Sequence, residues 1–201
     1  SDNQKEMLKV LIKVSDIMDD LFWQDAYGDK SKLMEQIDNK YRKTYAKINY
    51  GPWDRLDGDK PFVEGYGPKP AGAQYYPEDI TKEEFKNWNN QNKDSWYTMV
   101  RRDEEGNLKN VPYHEYYAKE VDKAANLLQK AAKLAESKGF KKYLNLRAEA
   151  LLTDKYLASD LAWMDMTDNM IDFVVGPIES YEDQFMGYRA AHSGQILIKD
   201  Q

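Results

Sequence analysis

Eight consecutive residues, Gly176-Pro177-Ile178-Glu179-Ser180-Tyr181-Glu182-Asp183, gather carboxylates and a phenol into one short stretch. They follow an apolar run, Ile171-Asp172-Phe173-Val174-Val175, whose β-branched and aromatic residues predict a strand. Gly176 and Pro177 are expected to stop that strand and fix the chain's exit. In an extended exit, Glu179 and Tyr181 are two residues apart and point to the same face. A carboxylate beside a phenol can grip an ammonium group and donate a hydrogen bond to a developing oxyanion. The same residues also read as a structural strand–turn.

Other candidates carry less. His114-Glu115-Tyr116-Tyr117-Ala118 begins like a zinc-binding H-E-x-x-H helix, but Ala118 stands where the second ligand must be. Only His114 and His192 exist and there is no cysteine, so no metal set is expected from these residues. Asp54-Arg55-Leu56-Asp57-Gly58-Asp59 has Leu56 at a position where a calcium loop needs oxygen, and turn chemistry explains its aspartates better. No Gly-rich phosphate loop or nucleophile elbow occurs. Asp16, Asp19, Asp20, Asp25 and Asp29 read as a solvated helix face. The aromatic share of 13% admits a stacking surface for glycans or peptides, with Trp53, Tyr66, Tyr75 and Tyr76 exposed; half-buried packing is the plainer account.

The elements that must position Glu179 and Tyr181 are mostly helical. Apolar residues from Met7 to Phe22 recur on one face, predicting a first helix. A second is expected from about Lys32 to Ile48, with Leu33, Ile37, Tyr41, Thr44, Tyr45 and Ile48 inward. Between residues 50 and 77 lie five of the seven prolines and five of the eleven glycines, so a long loop without regular elements is expected. Thr81 and Glu84 form a capping box, with Ile80 and Phe85 as its hydrophobic staple. Trp96–Arg102 and Leu108–Val111 predict a hairpin around a turn at 103–107. Tyr113–Ser137 is expected to be the longest helix, closed by Gly139 as its C′ residue. Helices over Phe140–Leu152 and Asp154–Met164 follow, the latter capped by Thr153. Gln195–Lys199 is a last β-like run. The fold class is α+β, predominantly α-helical: a helical bundle with a small hairpin and a short C-terminal antiparallel sheet.

With 201 residues and 41% hydrophobic content, the chain can bury a sizeable core. Its net charge of −6 argues against a nucleic-acid partner, and no apolar run is long enough for a membrane span. The lack of cysteine fits both a cytoplasmic and a bacterial envelope or periplasmic location. A first residue other than Met is consistent with a removed signal peptide.

The stretch from Phe173 to Arg189 resembles the lower-lobe segment of the dipeptidyl peptidase III family of zinc metallopeptidases, above all their bacterial Zn-dependent hydrolase relatives. Tyr76–Phe85, Val111-Pro112-Tyr113, Leu146-Arg147-Ala148 and Ser159–Asp165 resemble the same relatives, so the likeness spans roughly residues 7–200. The resemblance implies a two-lobed exopeptidase that removes dipeptides from peptide amino termini. It makes Glu179 the substrate-binding residue that holds the substrate's ammonium, and Tyr181 the catalytic residue that hydrogen-bonds the oxyanion. It also implies Zn2+ in an intact parent, which would be an enzyme. The family's His-Glu-x-x-x-His and Glu-Glu-x-Arg elements are absent here. His192, Ser193 and Gln195 also depart from the aromatic or acidic residues usual in relatives. The chain is therefore expected to be a single amino-terminal lobe, 1–201, truncated before its zinc motif and inactive alone. An apolar face left bare by the missing zinc-bearing lobe would then pair two copies as a dimer. The alternative is a non-enzymatic, aromatic-rich glycan- or peptide-binding module of the bacterial envelope.

Overall fold

Apolar residues at helical spacing organise the first 26 positions. A computed structural model of the protein describes residues 1–200, and in it Asp2–Ala26 is one continuous helix, α1. Helices α2 (Lys30–Gln36), α3 (Lys40–Asn49) and α4 (Lys82–Asn87) follow, with two-residue strands β1 (Trp53–Asp54) and β2 (Lys60–Pro61) between α3 and α4. Next come the hairpin β3 (Thr98–Arg102) and β4 (Leu108–Pro112), then α5 (Tyr113–Tyr116), α6 (Ala118–Leu134), α7 (Lys138–Thr153) and α8 (Leu157–Met164). Strands β5 (Ile171–Glu179) and β6 (Ala191–Ile198) form the last two-stranded sheet. The fold is α+β and mostly helical, with three small antiparallel sheets. No helix among the described residues is long and apolar enough to cross a membrane.

The chain forms two compact units. One comprises Ser1–Asp19, Val111–Ile178 and the residues from His192 onward; the other comprises Asp20–Asn110 and Glu179–Ala191. In the first, α6 buries Val121, Ala124, Ala125, Leu128, Ala131 and Ala132. These small residues let α7 pack closely, with Phe140, Leu144, Ala148 and Leu151 buried in turn. Tyr143 of α7 donates to the Phe173 carbonyl of β5 at 2.6 Å, and burial pushes its phenol up to about 12. In the second unit, Trp23, Leu33, Ile37 and Ala46 form an apolar cluster, flanked by Tyr27, Tyr50, Phe62 and Tyr66.

Several expectations change. The helix expected over 32–48 is two helices, because Asn39 caps α3 through Tyr41 and Arg42 amides and Ile37 turns extended. That break shifts the phase: Leu33 and Ile37 stay buried, but Tyr41, Thr44, Tyr45 and Ile48 face solvent while Ala46 and Asn49 turn inward. The Pro/Gly-rich segment does hold a short ladder, with Trp53 opposite Pro61. The longest helix is α1, at 25 residues; the helix expected over 113–137 is interrupted at the buried Tyr117 (φ −107°, ψ 29°), whose ring packs on His192, and ends at Leu134. Gly139 lies inside α7: Ser137 caps that helix, and a Cβ at 139 would meet Asp168 Oδ1 at 2.9 Å. Thr153 does not cap α8, because its hydroxyl donates back to the Glu149 carbonyl. Thr81 caps α4 as expected, but Glu84 turns to Arg102 instead of completing the box. Asp25 is buried rather than on a solvated face. Gly176 and Pro177 do not stop β5. In a two-stranded sheet each strand has an unpaired edge, where a missing N–H breaks no ladder.

Candidate functional site

Strand β5 ends at Glu179, whose side chain is exposed. A turn at Tyr181 and Glu182 follows, closed by the Asp183 amide donating to the Ser180 carbonyl at 3.3 Å. The two-residue alternation of an extended chain therefore stops before Tyr181. Tyr181 is 60% exposed. Partial desolvation raises its phenol pKa; the positive charge of Arg55 opposes the rise, and Glu182 and Glu179 add to it. The hydroxyl thus stays protonated, and so able to donate, across the neutral range.

The residues after Tyr181 go the other way. Glu182 is 1% exposed. Its carboxylate accepts from both terminal nitrogens of Arg55, at 2.6 and 3.1 Å, and pairs with Lys69 at 2.7 Å. Arg55 is itself pinned: its Nε donates to the Asn49 carbonyl at 2.6 Å, and its guanidinium lies over the Phe22 and Tyr50 rings. Asp183 accepts five hydrogen bonds, from the Tyr76 hydroxyl at 2.6 Å and from the amides of Phe185, Met186, Tyr188 and Arg189 at 2.9–3.1 Å. Burial, with the Asp183 carboxylate adding to it, drives the Tyr76 phenol far above its ordinary range. Arg189, fully buried, donates to the carbonyls of Ser95 and Lys93 and covers the Tyr76 ring. The Gln184 amide donates to Ala71. The loop carrying Glu179 and Tyr181 is thus bolted by buried ions to the Pro/Gly-rich segment. In the same unit, Asp59, Tyr66, Lys69 and Gln184 help line a cavity of about 570 Å³.

Sequence reasoning singled out the carboxylates at 182 and 183 without giving them a role, and missed Arg55 and Lys69. No spacing in the sequence signals this pairing, because Arg55 and Glu182 lie 127 residues apart. The calcium-like stretch is turn chemistry: Asp54 accepts from the Leu56 amide and the Tyr45 hydroxyl, and Asp57 pairs with Lys60. His114 is tied to Asp154 at 2.8 Å, and His192 is buried against the Tyr113 and Tyr117 rings. Among the described residues no group of three or more His, Cys, Asp or Glu could hold a metal ion. A zinc ion does not fit the residues present. Trp53, Tyr75 and Tyr76 are buried, overturning the exposed aromatic surface that a glycan-binding module requires.

No family model matches the chain. It is 29% identical to Nudix hydrolase 3 of Arabidopsis thaliana, over all of this chain and 34% of that protein. Among solved structures it matches dipeptidyl peptidase III from Caldithrix abyssi, with a TM-score of 0.94 and 40% identity, over all of this chain and 40% of the other. The enzyme from Corallococcus sp. strain EGB matches with a TM-score of 0.92 and 34% identity, again over all of this chain and 40% of that one. The chain thus spans a third to two fifths of the length of these relatives. It is dipeptidyl-peptidase III-like along its whole length, corresponding to an amino-terminal portion of such a protein.

Proposed function

We propose that this chain is the substrate-binding lobe of a zinc-dependent exopeptidase that releases dipeptides from peptide amino termini. The observation that carries the reading is an exposed carboxylate at the end of β5, Glu179, and an exposed, protonated phenol on the ion-anchored turn that follows it, Tyr181. Glu179 accepts hydrogen bonds from the substrate's ammonium group and so sets which bond is presented. The Tyr181 hydroxyl donates to the carbonyl oxygen as negative charge develops there. In this reading the Zn2+ belongs to a separate zinc-bearing lobe, since the residues present offer no ligand set.

The test uses the protein carrying both lobes. Tyr181→Phe should lower kcat on a dipeptidyl-naphthylamide by about tenfold or more, because one oxyanion donor is worth ~10²–10³. Glu179→Gln should chiefly raise KM, and amino-terminal acetylation of the substrate should abolish cleavage. An unchanged kcat for Tyr181→Phe removes that residue from the mechanism. Equal cleavage of acetylated substrate removes Glu179. The purified 201-residue chain should release no dipeptide; chelator-sensitive release by it alone would overturn the lobe assignment.

A further inference from the structure

We propose that Glu182 is the positioning residue of the Tyr181 turn, held by Arg55 and Lys69 of the Pro/Gly-rich segment; its meaning for catalysis rests on the peptidase reading above. Neighbours in the chain have opposite fates here, Tyr181 at 60% exposed and Glu182 at 1%. Carboxylates are almost never fully buried unless paired, because desolvation costs several kcal/mol per ion. Here the cost is offset by a two-point Arg55 contact and a Lys69 contact on one carboxylate.

Arg55 is a fixed post and not a wandering surface cation. Its backbone amide donates to the Asn49 side chain, its Nε to the Asn49 carbonyl, and its guanidinium carbon lies 5.3 Å from the Phe22 ring centroid and 5.9 Å from that of Tyr50. A guanidinium fork prescribes the plane and position of the carboxylate it grips, as a lysine ammonium does not. Because Glu182 directly follows Tyr181, fixing that carboxylate fixes the backbone on which the phenol stands. The Arg55 charge also reaches the phenol and favours its ionised form, which makes the hydroxyl a stronger donor than burial alone would allow.

The test is a double-mutant cycle in the protein carrying both lobes, with a dipeptidyl-naphthylamide as substrate. Glu182→Gln should lower kcat about tenfold, since small misplacements of a catalytic group cost up to ~10². In a Tyr181→Phe background the same substitution should cost less than about twofold, because the group it positions is gone. An equal loss in both backgrounds overturns the proposal, since Glu182 would then act independently of Tyr181. If Glu182→Gln fails to fold, Arg55→Met keeps the Lys69–Glu182 pair and reads the same cycle. A second arm needs no activity: with ring-carbon-labelled tyrosine in this chain, Arg55→Met should move the Tyr181 phenol titration to higher pH. An unmoved titration overturns the placement. A wild-type protein that releases no dipeptide counts against the peptidase reading, while the titration still decides where Arg55 stands.

Discussion

Each of the two compact units has its own source of internal cohesion. In the unit built around α6 and α7, close packing of Ala and Leu supplies the cohesion, and a helix pair satisfies its own backbone. In the other unit, the ladder of the Pro/Gly-rich segment is only two residues long, and buried ions hold that segment and its neighbours: Glu182 with Arg55 and Lys69, Asp183 with Tyr76, and Arg189 on backbone carbonyls. Segments with little ladder can still be held in place when charges pin them, and such loops can present side chains to solvent. Tyr181 stands on such a loop, and Glu179 at the strand end that leads into it.

Asp183→Ala should break this contrast most sharply. It strips four backbone amides and the Tyr76 hydroxyl of one acceptor, in a site from which water is largely excluded. A loss of about 3–5 kcal/mol is expected, the usual scale for removing one partner from a buried charged network. Leu128→Ala in α6 should cost about 3 kcal/mol by leaving a cavity. Urea denaturation separates the mechanisms: Leu128→Met should recover most of the Leu128→Ala loss by refilling the cavity, while Asp183→Asn, which keeps one oxygen acceptor, should recover part of the Asp183→Ala loss. An Asp183→Asn variant as unstable as Asp183→Ala would dissolve the distinction between the units.

How far the sequence discloses each unit follows the same division. Helix periodicity revealed α1, α6 and α7 because packing inside a helix repeats on a fixed period. The phase of α3 did not show, because Asn39 restarts the helix and no periodicity rule counts across a cap. Gly139 read as a helix end because glycine favours that place, whereas the demand here is room beside Asp168. Glu179 and Tyr181 were legible as residue types beside one another. Their anchors were not, since Arg55 and Glu182 lie 127 residues apart and ion pairing leaves no periodic trace in the chain.

A smaller test probes the close packing of the apolar unit. Gly194 on β6 would place a Cβ 2.9 Å from the Ser15 Cα of α1, a backbone atom that cannot swing away. Gly194→Ala should therefore cost about 1–3 kcal/mol in denaturation experiments, the range for overpacking a tight contact. A neutral result would show that α1 and β6 have slack, and that the unit is less closely fitted than its Ala-rich helices suggest.

The smallest effect comes from ions left in water. Arg102 makes two-point contacts with both Asp79 and Glu84, more than Arg55 makes with Glu182, yet the Asp79 side chain stays 67% exposed. Hydrogen bonds from Arg102 hold both carboxyls below their ordinary pKa values, against an opposing desolvation. A depressed carboxyl stabilises the fold above its unfolded pKa of ~4 and loses that contribution as pH falls through the folded value. Arg102→Met should therefore lower the melting temperature slightly at pH 6, with the gap to wild type closing as the pH drops below about 4 and narrowing in added salt. If the gap instead persists in acid and high salt, Arg102 acts through packing of its stem, and exposure would not be what separates this cluster from the one at Glu182.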